Sequence, residues 1–111
     1  MKLDKILNEI NLKQVYIADV NREIESGYCC DLLSEVMGKA KENSIWITVH
    51  SNLNVIAVAA MLEIAVVVIA EGHSVNDEFL KKAEMKGISV LETNENSFEL
   101  TGQLYNLGIR G

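Results

Sequence analysis

Proline is absent from the 111 residues, and 49% of them are hydrophobic, which together exclude a disordered tail. Cysteine is nearly absent. The two that occur, Cys29 and Cys30, are adjacent. Neighbours in a strand point to opposite faces, so a disulfide between them is strained and a shared metal awkward. They are expected as small buried fillers in a reducing, cytoplasmic protein. Clustered positive charge is missing too: acidic residues outnumber basic ones sixteen to ten, the net charge is −6, and Lys and Arg are scattered. Nucleic acid is thereby excluded as a partner, since its binding rests on cations gathered against phosphates.

Met1 to Glu9 mixes charged and apolar positions, so no signal-peptide block is expected. The apolar run from Leu53 to Ala70 is interrupted by Asn54 and Glu63 and falls short of the roughly 20 residues of a membrane span. It reads as buried core, with no membrane partner. No GxxxxGK[ST] or GxGxxG loop, no HxH, HxxE or CxxC spacing and no nucleophile elbow is present. No catalytic residue, metal or cofactor is therefore assigned.

What is present begins with Ile45 to Ala70. Ile45-Trp46-Ile47-Thr48-Val49 is β-branched and aromatic, Ser51 and Asn52 offer cap chemistry, and Ala65-Val66-Val67-Val68-Ile69 follows an apolar helix. A strand, a helix and a strand joined this tightly predict a parallel βαβ unit. Leu3, Ile6, Leu7 and Ile10 make one helical stripe, and Val15 to Ala18 should be a strand. After Gly27 comes an extended piece, then a helical turn capped by Asp31. Phe79, Leu80 and Ala83 form the inner face of a helix closed by Gly87, and Ile88 to Leu91 a strand. Asn96 with Glu99 opens a last helix in which Phe98, Thr101, Leu104 and Tyr105 are expected to face inward, and Gly108 stops it. Strands alternating with helices predict a single α/β domain over residues 1–111, a mainly parallel sheet flanked by helices.

The helix from Asn52 to Glu63 has no polar face, and a helix apolar all round is normally buried all round. In so small a domain a second copy of the chain is the expected cover, which makes a homodimer, with Val55, Ile56, Ala59, Ala60 and Met61 at the contact.

Ligands of parallel sheets settle beyond the carboxyl ends of the strands. Thr48, His50, Ser51, Asn54, Gly72, His73, Ser74, Thr93 and Asn94 should gather there, joined by Arg22 and Gly27 if the first strand runs parallel. These groups suit hydrogen bonding to a small phosphorylated or nucleotide ligand.

The ordered set Asn21-Arg22-Glu23-Ile24-Glu25-Ser26-Gly27-Tyr28, Asp31 to Met37, Trp46-Ile47-Thr48, Leu53 to Ala59 and Phe98-Glu99-Leu100 with Gly102, Leu104 and Tyr105 resembles a stand-alone DRTGG domain over nearly the whole length. Glu25-Ser26-Gly27 stands where Thr-Gly-Gly is usual, and Asn21 where an acidic residue is. The resemblance implies an α/β domain related to the N-terminal domain of HPr kinase/phosphorylase, of the kind that accompanies CBS-domain pyrophosphatases and phosphotransacetylases as a dimerising or regulatory module. It implies no kinase activity. The function expected is thus a non-catalytic, homodimerising regulatory or scaffolding domain sensing a small anionic metabolite or nucleotide, or docking a partner protein. The alternative is a subunit or accessory protein of an enzyme, with His50 or His73 as acid/base or with Cys29 and Cys30 touching a metal cluster.

Overall fold

Apolar side chains that alternate faces along a strand, and recur every third or fourth residue along a helix, can bury both faces of a sheet under helices. The computed structural model, which describes residues 1–111, shows this arrangement. The elements run α1 (Leu3–Glu9), β1 (Lys13–Tyr16), β2 (Ser26–Cys29), α2 (Leu33–Lys39), β3 (Ser44–Thr48), α3 (Leu53–Met61), β4 (Val66–Ile69), α4 (Asp77–Lys86), β5 (Ser89–Glu92) and α5 (Ser97–Leu107). The sheet order is β1-β5-β4-β3-β2. β2 to β5 are mutually parallel, and β1 alone runs antiparallel, against β5. The expected mainly parallel α/β architecture is the one observed. No helix is long and apolar enough to cross a membrane.

The strand alternation splits the core in two. Ile45, Ile47, Val66, Val68 and Leu91 pack on Leu3 and Ile6 of α1 and on Leu100 and Leu104 of α5. Trp46, Val67, Ile69 and Val90 point the other way, to Val36 of α2, Val55, Ile56 and Ala59 of α3, and Phe79 and Ala83 of α4. β3 and β4 are buried along their full length, as central parallel strands are. The Trp46 indole, wholly buried, donates its N–H to the Cys30 carbonyl at 2.9 Å.

Several expectations are corrected here. α3 is covered within the subunit. It lies between α2 and α4 on the sheet, and Val55, Ile56 and Ala59 are 0% exposed. Its cover is three-sided because three helices share one face of the sheet, so the reason for placing those residues against a second copy is removed. Ala60 is half-buried and Met61 exposed. In α5 it is Leu100 and Leu104 that face inward, while Phe98, Thr101 and Tyr105 are exposed. Phe98 lies two residues, about 200° of helix, from Leu100, so docking one turns the other to solvent. β1 starts two residues before the expected strand and carries a bulge between Gln14 and Tyr16. Cys29 is exposed and Cys30 half-buried, because β2 is an edge strand and ends at the rim.

Candidate functional site

At the carboxyl edge of the sheet, the loops after β4 and β5 are tied to each other. Glu71 N–H donates to the Glu95 carbonyl at 2.9 Å and Gly72 N–H to the Thr93 carbonyl at 3.0 Å, while Thr93 N–H returns to Ile69 of β4. Gly72 has φ of +77°, a conformation that glycine adopts without penalty, and a Cβ built on it would sit 3.6 Å from Asn94 Oδ1. The turn Gly72-His73-Ser74 thus faces Thr93-Asn94 across a cleft of about 210 Å³, with Lys13 of β1 at its side and Glu92 in its wall.

Glu92 is the buried anchor of this cleft. Its Oε2 accepts from Val75 N–H at 2.9 Å, fixing the approach to α4, and its Oε1 lies 3.6 Å from Lys13 Nζ. The Lys13 side chain is itself 75% exposed, so its ammonium remains open to a ligand on the solvent side. α4 then starts under an Asn76 cap, whose Oδ1 accepts from Phe79 N–H.

One strand further along, Thr48 is buried and its hydroxyl is already engaged: it donates to Asp31 Oδ1 at 2.8 Å and accepts from His50 N–H at 3.3 Å. Asp31 Oδ1 also accepts from Val49 N–H, so Asp31 secures the end of β3 and leaves α2 without a side-chain cap. His50 is exposed and Ser51 half-buried on the loop leading into α3, where Asn52 is the cap and Asn54 is exposed in the first turn.

Of the residues expected at this edge, Gly72, His73, Ser74, Thr93 and Asn94 share the cleft. Thr48, the last residue of β3, His50 and Ser51 of the β3–α3 loop and Asn54 in the first turn of α3 lie beside it on the same edge. Arg22 and Gly27 do not belong to it. Arg22 precedes β2 and lies at the opposite edge, donating from Nη2 to Asn43 Oδ1 at 3.0 Å and to the Glu63 carbonyl at 3.3 Å. Gly27 is inside β2, where its N–H donates to the Arg110 carbonyl and a Cβ would sit 2.9 Å from Ile109 Cγ2. Lys13 escaped sequence reasoning, because only the long-range pairing of Lys13 with Glu92 brings it to the cleft. No three His, Cys, Asp or Glu side chains converge as metal ligands would.

A sequence model of the DRTGG domain matches residues 28–107. The chain belongs to the DRTGG domain family. The matched region begins immediately after Gly27, so this DRTGG domain is identified by its β2-to-α5 body. The crystal structure of the CBS and DRTGG domains of the regulatory region of Clostridium perfringens pyrophosphatase, complexed with the activator diadenosine tetraphosphate, has the same fold. The TM-score is 0.76 at 18% identity, over 93% of this chain and 45% of that one. The DRTGG chain thus spans less than half of its structural neighbour. No curated protein matches the sequence.

Proposed function

We propose that this DRTGG domain is a non-catalytic regulatory module that senses a phosphate-bearing small molecule of the nucleotide class at the cleft between the β4–α4 and β5–α5 loops. The observation that carries the reading is the convergence of Lys13 with Gly72, His73, Ser74, Thr93 and Asn94. It supplies one ammonium, two hydroxyls, an amide and an imidazole around a volume that suits one phosphate group and its attachment, with the Glu92 carboxylate in the wall engaged by Val75 N–H and Lys13. In an acidic chain such a cation is a specific attraction, not part of a general field. The neighbouring fold was crystallised with a dinucleoside polyphosphate activator, which supports the same ligand class. His50, Ser51 and Asn54 extend the polar edge for the remainder of a longer ligand. Self-association of two copies is part of the proposal, on a surface other than the buried side of α3.

The test is a thermal-unfolding screen with ATP, AMP, diadenosine tetraphosphate and inorganic phosphate. A ligand at about 100 times its Kd adds about 2.7 kcal/mol to the folded state, a readily measured rise in Tm. The expected result is a saturable rise that Lys13→Ala and Thr93→Val both diminish. No rise with any of the four ligands overturns the proposal.

A further inference from the structure

Of the two phenylalanines, Phe79 is wholly buried and Phe98 is 84% exposed. Phe98 stands in the first turn of α5. Seven residues on, and therefore on the same face, Tyr105 is 56% exposed. Between them lie Thr101 and Gly102, both exposed, and a Cβ built on Gly102 would meet nothing within 4 Å. The outer face of α5 is thus aromatic at both ends and low in the middle. A glycine in a helix interior is unfavourable by about 1 kcal/mol relative to alanine, and the space above this one is empty.

Charges flank this face in a matching order. Glu95, two residues before α5, and Glu99, in its first turn and about 100° of helix round from Phe98, are exposed. At its far end the Arg110 guanidinium lies 3.7 Å over the Tyr105 ring, and Arg110 is the only Lys or Arg after Lys86. A stripe that runs acid, aromatic, small, aromatic, base is complementary to itself when turned end for end. Phe98 then meets Tyr105 of the other copy, the two Gly102 positions cross, and the Glu95 and Glu99 end faces the Arg110 end. Beside the stripe, an apolar groove of about 80 Å³ lined by Ile47, Leu104, Tyr105 and Ile109 continues the patch toward edge strand β2.

We infer that the outer face of α5 is the docking surface for a second copy of this chain, antiparallel about a two-fold axis passing near Gly102. This rests on the self-association proposed above and assigns its surface. A two-fold contact is isologous, so one patch has to serve both partners, and a stable interface buries about 800 Å² on each. The α5 face with the adjoining groove is a contiguous surface carrying two exposed aromatic rings.

Sedimentation equilibrium of the full chain tests the inference, with far-UV circular dichroism confirming that each variant is folded. Wild type is expected at twice 12.3 kDa. Phe98→Asp and Gly102→Leu are expected to weaken association at least about tenfold, while Met61→Asp on α3 leaves it unchanged. Arg110→Glu should weaken it as well, and Glu99→Lys added to Arg110→Glu should restore part of the loss. A wild-type monomer at about 100 µM, far above a micromolar Kd, overturns self-association altogether. A wild-type dimer indifferent to Phe98→Asp leaves self-association standing and overturns the α5 surface alone.

Discussion

Arg22 Nη2 donates to Asn43 Oδ1 at 3.0 Å, and the same nitrogen reaches the Glu63 carbonyl at 3.3 Å. Asn43 and Glu63 both have φ of +58°, a left-handed conformation unusual for residues with a side chain. Asn43 N–H also donates to the Glu63 carbonyl, and Asn43 Nδ2 to Glu25 Oε2 at 2.5 Å. The arginine therefore clamps two strained turns together at the amino edge of the sheet. Replacement by alanine is expected to lower stability by about 1–2 kcal/mol, since a charged donor is lost, Asn43 Oδ1 is left unpaired at a half-buried position and the Glu63 carbonyl keeps only Asn43 N–H. Arg22→Lys should recover little of it, because one ammonium does not reproduce the planar fork. Urea unfolding measures both, and ligand affinity at the distant cleft should not change.

Gly27→Ala is expected to destabilise through crowding. The added methyl would sit 2.9 Å from Ile109 Cγ2, on a β-branched side chain that is stiff at χ1. Overpacking of this kind is unfavourable by about 1–3 kcal/mol. In combination with Ile109→Ala the loss should be smaller than the sum of the two single losses, and a double-mutant cycle from urea midpoints reads that coupling.

Removing the Asp31 carboxylate strands the Thr48 hydroxyl, which is 1% exposed and donates to Asp31. Asp31→Ala should therefore lower stability by about 1–3 kcal/mol. Less should be lost in Asp31→Ala with Thr48→Val, where no buried hydroxyl is left without an acceptor and the freed Val49 and His50 N–H groups lie near solvent. Denaturant titration of the two variants separates the outcomes.

Ser44 presents the opposite case. Its hydroxyl is fully buried and has no hydrogen-bond partner. Ser44→Ala is expected to be neutral or to stabilise by about 1 kcal/mol, because an unsatisfied hydroxyl leaves the core and no partner is orphaned. A Tm below that of wild type would contradict this.

On α2, hydrogen bonding to Glu35 at 2.6 Å, and the attraction of its charge, hold the Lys39 ammonium above its usual pKa of 10.5. A raised folded value means that the contribution to stability is complete below pH 10.5 and is lost as the pH climbs through the raised value. The pair is on the surface, so the contribution is small. Urea midpoints of wild type and Lys39→Met should differ slightly at neutral pH and converge in strong alkali.

The parallel core was legible because its signals are local. Val66-Val67-Val68-Ile69 can hardly be anything but a buried strand, and Gly87, at φ of +68°, ends α4 as a left-handed cap should. What was hidden depended on neighbours remote in the chain. The all-apolar character of α3 showed that it would be covered, but not that α2 and α4 would do the covering. In α5, Phe98 and Leu100 are both apolar, and a stripe with apolar residues on two sides does not say which side meets the sheet. The candidate edge was read from the rule about strand ends, which placed Gly72, His73, Ser74, Thr93 and Asn94 together and Thr48, His50, Ser51 and Asn54 beside them. Arg22 was misplaced because it precedes β2 and so sits at the end opposite the cleft. Lys13 was missed because the direction of β1 is set by pairing with β5, about which the sequence near Lys13 says nothing.

That lone reversed strand carries a mechanical consequence. Lys13 and Glu92 are roughly eighty residues apart in the chain, so their meeting closes a long loop that has little local support. A molecule gripping Lys13 and the β4–α4 turn together would rivet the amino-terminal ribbon to the parallel body. Occupancy would then be recorded as slowed amide exchange from Lys13 to Tyr16, so that an outermost ribbon becomes the gauge by which the bound state is told from the empty one.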